Sequence, residues 1–296
     1  MLAVPTTALL LLLPLLLLLL PAAVAGSTAA APQQSRDVPL SGWHLAGSDC
    51  GVRVSCEGSP SLVHIDLHKA GHIADPFDST EIDDEANRWV MTESNWTYTA
   101  HFDVESLSSE EVAPLPQLLL VAQGLDTLAT IRHNGVVVGH SANMHLRVVV
   151  PLSAAQGANT LSFSFANPLP YAVEQQRLHP CGCSADTCPA NRTKKCQCCN
   201  FPAQWPIYSW APGRIFVRKA QSHFGWNWGP ATMPRGFFRS VSLLALGPAL
   251  PLLEDVLVGL QPLVPLPLTA PLVDGATDFN VTLTLKLRSE VRMNTG

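Results

Sequence analysis

The 296-residue sequence predicts an all-β protein, a large sandwich or jelly roll followed by the opening strands of a second sandwich. Three observations carry this. Between Asn95 and Leu169 short segments alternate apolar with polar residues, the period of half-buried strands, and turn signals separate them. Asn134-Gly135 divides "ATIRH" from "VVVGH", and both residues accept the positive φ of a type I′ hairpin turn. After a proline-rich stretch, Phe279, Val281, Leu283, Leu285 and Leu287 alternate cleanly with polar residues. Regularly spaced short strands of this kind build sandwiches and jelly rolls.

Residues 1–25 precede the fold. Leu9 to Leu20 is leucine with a single proline, and Ala23-Val24-Ala25 follows as a small-residue cleavage pattern. This is a secretory signal peptide cut near Ala25, although no Lys or Arg precedes the apolar run. An uncleaved anchor is the alternative, but Pro5, Pro14 and Pro21 interrupt a run that would need about 20 apolar residues to span a bilayer. The sequence therefore implies no stable membrane insertion after cleavage. Residues 26–36, small and polar, read as a flexible leader.

Within 37–248, "SLVHIDLHKAGHIADPF" places Val63, Leu67 and Ala70 at helical spacing, with Gly71 and Pro76 to close one short helix. His64, His68 and His72 share that spacing. A zinc protease would carry its glutamate base where Ile65 stands, so these histidines are read as structural or surface groups. Glu81, Asp83, Asp84 and Glu85 crowd the run Asp78 to Trp89, which is read as a solvated loop. Strands follow in "NWTYTAHFDV", "QLLLVAQGL", the Asn134-Gly135 hairpin, "LRVVVPL" and "NTLSFSFANPL". Around residue 248 the texture changes to "LGPALPLLEDVLVGLQPLVPLPLTAPLV", which shows no long alternating run. Residues 249–296 are read as an incomplete second sandwich, because so short a stretch supplies two or three strands and a sheet that small is marginal in water.

All eight cysteines lie beyond the proposed cleavage site: Cys50, Cys56, Cys181, Cys183, Cys188, Cys196, Cys198 and Cys199. Even number and secretory context make them disulfide candidates. The Cys-rich insert at about 180–200 also admits metal ligation or disorder, although it lacks paired C-x-x-C knuckles. Sequons at Asn95, Asn191 and Asn280 suit a glycoprotein of the secretory pathway. The formal net charge of −5 and the lack of a basic tract exclude nucleic acid as an expected partner.

No G-x-S-x-G, G-x-G-x-x-G, Walker loop or H-E-x-x-H occurs, so no catalytic residue, metal site or cofactor is expected in this chain. The segment "HFGWNWGP", His223 to Pro230, stands out instead. Trp226 and Trp228 can stack on the apolar face of a sugar, and Asn227 offers both donor and acceptor to hydroxyls. The plainer reading places both tryptophans in the core and makes Asn227 a turn cap.

Resemblance extends this reading. "VRKAQSHFGWNWGPATMPRGFFRSVSLLAL", with "SLVHIDLHKAGHIADPF", "NRWVMTESNWTYTAHF", "GLDTLATIRHNGVVVGHSANMH" and "NTLSFSFANPLPYA" in the same order, resembles the β-mannosidases. These are glycoside hydrolases of the family that also holds β-galactosidases and β-glucuronidases. The resemblance implies a galactose-binding-like jelly roll, then an immunoglobulin-like sandwich, then a catalytic (β/α)8 barrel that lies outside this chain together with both catalytic glutamates. It further implies that Trp226, Asn227 and, as support, Trp228 contact a terminal β-mannoside, from a loop reaching into the barrel's active site. It also points to the lysosome or the extracellular space. The family pattern has Asp where this chain has Asn227, which exchanges a charged acceptor for a neutral amide. The resulting expectation is the N-terminal part of a retaining, exo-acting β-mannosidase, inactive by itself. A non-catalytic carbohydrate-binding or remnant protein is the alternative.

Overall fold

A computed structural model describes residues 36–76, 85–104, 117–153, 157–178, 213–225, 231–246, 252–263 and 279–288. Two antiparallel sheets form the larger part. One has the strand order β1 (Arg36–Val38), β13 (Val241–Leu246), β6 (Gln117–Ala122), β10 (Val148–Leu152). The other runs β3 (Arg53–Ser55), β2 (Ser41–Gly47), β5 (Asn95–Asp103), β11 (Ala158–Ala166), β8 (Ala129–His133), β9 (Val136–Ser141). Their inner faces enclose one core. In β5 and β11 every second residue is buried, so Trp96, Tyr98, Ala100 and Phe102 lie on the same side as Leu161, Phe163 and Phe165. That is the alternation the sequence displays, and it fixes register, since a one-residue slip would expose the whole set.

A third, small sheet joins segments distant in sequence: β4 (Ser61–Leu62), β12 (Gly236–Phe237) and β7 (Leu125–Asp126). Phe237 enters the core from this sheet. Its ring is edge-on to Trp43, Phe163 and Phe165 at 5.4, 5.0 and 5.4 Å between centroids, and tilted against Tyr98 at 4.8 Å. Geometries of this sort add to the area each ring buries. Gly236 has φ 132°, and a Cβ there would stand 2.7 Å from the Ser61 carbonyl oxygen. Only glycine lets the middle strand pass so close.

The hairpin forms as the sequence predicts. Asn134 (φ 49°) and Gly135 (φ 83°) make a two-residue turn between His133 and Val136. Asn134 earns its position further: its side-chain oxygen accepts from the Thr160 N–H at 2.8 Å, and its amide donates to Asn159 Oδ1 at 2.9 Å.

Helix α1 (Val63–Lys69) occupies the predicted stretch, with Ala70 as its C-cap and Gly71 at φ 76°. Its Asp66 accepts from Tyr98 Oη at 2.7 Å and from Ser61 Oγ at 2.8 Å. Two further helices were not anticipated. Helix α2 (Glu85–Thr92) replaces the loop expected over its part of the acidic run. Its buried Val90 and Met91 sit next to half-buried Trp89, so the segment packs instead of being solvated. Helix α3 (Pro168–Leu178) follows β11, and Asn167 Oδ1 accepts from the Leu169 N–H at 3.0 Å. The two prolines hid it, yet proline is compatible with the first turn of a helix. Residues 77–84, and with them Glu81, Asp83 and Asp84, lie outside the described residues, as do 1–35 and the six cysteines from Cys181 to Cys199.

One more reading needs correction: Arg36, placed in the leader, already opens β1. Among the described residues, Cys50 and Cys56 are not bonded to each other. Cys56 donates its N–H to the Trp43 carbonyl at one end of the β2–β3 pair, whereas Cys50 belongs to the turn at the other. Extended chain between them covers more than about 10 Å at roughly 3.3 Å per residue, and a disulfide needs Cα atoms within about 7 Å.

Beyond the sandwich, β14 (Leu252–Pro262) pairs with β15 (Phe279–Arg288) as a two-stranded ribbon. The predicted alternation of β15 is present. β14 was obscured by its flanking prolines and by a bulge between Leu253 and Asp255 that breaks the period. Arg147 reaches the ribbon from the sandwich, donating to the Glu254 carbonyl at 2.9 Å and to Asp255 Oδ2 at 3.0 Å. Among the described residues no helix is long and apolar enough to cross a membrane.

Candidate substrate-contact loop and its buried base

Trp226, Asn227 and Trp228 lie outside the described residues, which stop at Gly225 and resume at Ala231. The structure describes what holds the two ends of that segment. On the near side a 3-10 turn, Gln221–Phe224, ends in Gly225 at φ 76°, whose N–H donates to the Ser222 carbonyl at 3.1 Å. On the far side Met233, at φ 37°, donates its N–H to the His223 carbonyl at 2.9 Å. That bond closes a loop whose stem is buried. Phe224, Ala231 and Met233 join Met91 of α2, Ala172 of α3 and Val217 in a second apolar cluster. The helices that the sequence reading missed thus serve to wall this stem.

Beneath the apolar cluster is a charged one. Lys219 Nζ and Asp126 Oδ1 are 2.6 Å apart, and both side chains are 0% exposed. Lys219 also donates to the Pro234 carbonyl, so its ammonium spans the base from β7 to the returning chain. Thr127 Oγ1 donates to the same carboxylate. His223, one quarter exposed, brings Nδ1 to 3.4 Å from Asp126 Oδ2. Arg235 donates to the carbonyls of Val90 and Glu93, closing the C-terminal end of α2, where a cation also suits the helix dipole. These groups meet because β12 pairs with β4 on one side and β7 on the other, placing Arg235, Asp126 and α1 together.

The electrostatics follow from burial and neighbours. Burial penalises the Asp126 charge, but His223, the Lys219 ammonium and Thr127 outweigh it and hold its carboxyl below the ordinary aspartate value. Burial lowers Lys219 to about 8 against the support of Asp126, and Arg235 pushes in the same direction as burial. His64 on α1 falls to about 4, through burial first and then the charges of Arg235 and Lys219. Its Nδ1 has no hydrogen-bond partner among the described residues. His68 and His72, its companions in the sequence pattern, are exposed. Glu93 is a further buried acid that the sequence reading passed over. Its carboxylate accepts from the N–H groups of Asp49 and Cys50 at 2.6 and 2.9 Å and from Ser48 Oγ at 2.9 Å, which ties α2 to the β2–β3 turn.

The ion pair is sealed from solvent, and Lys219 spends its ammonium on Asp126 Oδ1 and the Pro234 carbonyl. Asp126 Oδ2 makes no hydrogen bond among the described residues and faces His223 Nδ1 at 3.4 Å. No spacing in the sequence announces Asp126 and Lys219 as partners, since they are 93 residues apart. Asp126, between Leu125 and Thr127-Leu128, stands out as an acid in a largely apolar segment, whereas Lys219 follows Arg218 and nothing local marks it. Of the sequons, Asn95 is half-buried at the start of β5, Asn280 is exposed on β15, and Asn191 lies outside the described residues.

Comparison with known proteins adds the following. Residues 43–239 match the model for the glycosyl hydrolase 2 galactose-binding domain-like family. β-Mannosidase B of Emericella nidulans is 32% identical over 187 residues, which is 62% of this chain and 19% of that protein. The β-mannosidase of Mus musculus is 29% identical over 209 residues, 70% of this chain and 21% of the relative. The chain therefore spans about a fifth of the length of the curated relatives it matches. In three dimensions it is similar to a β-D-mannosidase from Dictyoglomus thermophilum, with a TM-score of 0.58 at 23% identity, covering 86% of this chain and 26% of the other. At that identity the likeness speaks for the fold.

Proposed function

We propose that this chain, which belongs to the glycosyl hydrolase 2 galactose-binding domain-like family, is the N-terminal portion of a β-mannosidase that removes terminal β-linked mannose from oligosaccharides with retention. The observation that carries the reading is the stem just described. A loop bearing two tryptophans and an amide is pinned at both ends by a backbone bond, an apolar cluster and a sealed ion pair. Catalysis gains when groups that touch substrate are held in place before substrate arrives.

In this proposal Trp226 and Asn227 contact the terminal sugar, with Trp228 in support, while two glutamates of a barrel domain outside this chain act as acid/base and nucleophile. Retention requires carboxyl groups about 5 Å apart on a rigid scaffold. The jelly roll contributes a wall of the sugar site, and by itself it is inactive. Residues 1–25 direct the chain into the secretory pathway toward the lysosome or the exterior, and Asn280, exposed on β15, is the sequon best placed to carry a glycan.

The test is hydrolysis of a chromogenic β-mannoside by this chain and by the longest natural product of the same gene, with the β-galactoside and β-glucuronide alongside. Activity on the mannoside in the longer product alone is the expected result. Activity in neither turns the reading toward a carbohydrate-binding protein, and activity in the short chain would place catalytic carboxylates where we have put none.

A further inference from the structure

We infer that His223 is a further substrate-contact residue: Asp126 holds the proton on its Nδ1, and the bare Nε2 accepts a hydrogen bond from a hydroxyl of the saccharide. The inference rests on the proposed function, which places a sugar at Trp226, three residues further along the chain. The backbone fixes where the ring is attached. His223 donates its N–H to the Ala220 carbonyl at 3.0 Å and accepts from the Met233 N–H at 2.9 Å, while the neighbouring Phe224 is buried in the apolar cluster.

From that fixed point the imidazole faces the carboxylate. Nδ1 lies 3.4 Å from Asp126 Oδ2, the oxygen that Lys219 and Thr127 leave unused. Both atoms are sealed from solvent, and neither has a hydrogen-bond partner among the described residues. Two buried polar atoms of this kind are satisfied only if one of them supplies a proton. Asp126 does not: against the effect of burial, His223, the Lys219 ammonium and Thr127 hold its carboxyl below the ordinary aspartate value, and an ionised carboxylate only accepts. A bare Nδ1 would set two lone pairs against each other. The proton therefore sits on Nδ1, and a movement of about 0.5 Å brings the pair to the usual N–H···O distance. Hydrogen bonds in substrate sites are often this long until substrate arrives.

The bond made by one ring nitrogen sets the state of the other. A neutral imidazole protonated at Nδ1 has a bare Nε2, and a carboxylate behind the ring makes that nitrogen a better acceptor. The side chain is one quarter exposed although Nδ1 is sealed, so the edge open to solvent is the far one, which carries Nε2. An outward acceptor at the base of a sugar-contact loop suits a hydroxyl donor, which a saccharide supplies.

The experiment has two arms. Histidine nitrogen-15 shifts of the 296-residue chain at mildly alkaline pH show which ring nitrogen carries the proton, the His223 signal being identified by its loss in His223→Gln. Protonated Nδ1 with bare Nε2 is the expected signature. In the longer product, hydrolysis of a chromogenic β-mannoside is compared with analogues that each lack one hydroxyl, for the wild type, His223→Asn and His223→Leu. His223→Asn keeps a donor for Asp126 Oδ2, and with it the fold, but falls short of the sugar. Both variants are expected to lose about tenfold in kcat/KM, as for one hydrogen bond. On the single analogue that lacks the partner hydroxyl they should match the wild type. A proton on Nε2 overturns the inference. So does full activity in His223→Asn, which would leave His223 a support of the stem alone, and so does an equal loss on every analogue. Variants without effect in an active enzyme fail the inference by itself, whereas a wild-type longer product inactive on the mannoside fails the proposed function and the inference with it.

Discussion

Replacing Asp126 by Asn keeps the volume and removes one charge from a pair that is wholly buried, with 2.6 Å between Lys219 Nζ and Asp126 Oδ1. Removing one member of such a pair strands the other, which typically costs about 3–5 kcal/mol. That is a large part of the roughly 5–15 kcal/mol that holds a domain folded. Lys219, already lowered to about 8 with Asp126 beside it, loses its principal support and moves lower still. The assay is urea unfolding followed by tryptophan fluorescence for Asp126→Asn, Lys219→Met and the double variant. Each single variant is expected to lose about 3–5 kcal/mol and the pair far less than the sum, with a coupling of about 2 kcal/mol or more. A loss under about 1 kcal/mol in Asp126→Asn, or simple additivity, would refute the claim that this pair holds the base of the loop.

Other outcomes follow from the same geometry. His64 is depressed to about 4 in the folded state from 6.5, so on acidification the unfolded chain takes its proton first. Stability from this group is intact above pH 6.5 and falls by about 3 kcal/mol as pH drops to 4; denaturation of His64→Leu across that window should lack this share of the slope. Gly213→Ala is expected to cost about 2 kcal/mol or more in thermal unfolding, because φ is +70° and the new Cβ would stand 2.0 Å from the Ala172 carbonyl oxygen. Phe237→Ala should lose about 3–5 kcal/mol, seen in the urea midpoint, since four aromatic rings of the core touch it. In the longer product Asn227→Asp should raise kcat/KM on a β-mannoside about tenfold, corresponding to about 1.4 kcal/mol for a charged over a neutral acceptor.

What the sequence revealed and what it withheld divide along physical lines. Strands such as Asn95–Asp103 were legible because one face is buried and one is not, and alternation records that directly. The turn at Asn134-Gly135 was legible because few residues tolerate its dihedrals. Helix α3 was hidden by Pro168 and Pro170, and helix α2 by a charged beginning, because their packing partners, Phe224 and Met233, are distant in the chain. Strand β14 was lost to a bulge that breaks the period of two. The aromatic loop could be noticed from composition, but its support could not, since the ion pair joins residues from β7 and from the approach to the loop.

That support explains why polar groups are used where an apolar base would be simpler and often more stable. An apolar cluster already exists at the stem, in Phe224, Ala231 and Met233, and it excludes water without fixing orientation. The Lys219 ammonium adds direction: it must satisfy Asp126 on β7 and the Pro234 carbonyl on the returning chain at once. Pro234 is followed by Arg235, whose guanidinium is committed to the last carbonyls of α2, and by Gly236, whose strand pairing sets the small sheet. A shift of the loop's far end would therefore break hydrogen bonds to a buried charge and not merely slide one aliphatic surface over another. Buried hydrogen-bonded charges make small displacements costly in this way. Under the proposed function, in which Trp226 and Asn227 contact a sugar, that stiffness serves the loop more than the last kilocalorie of stability would.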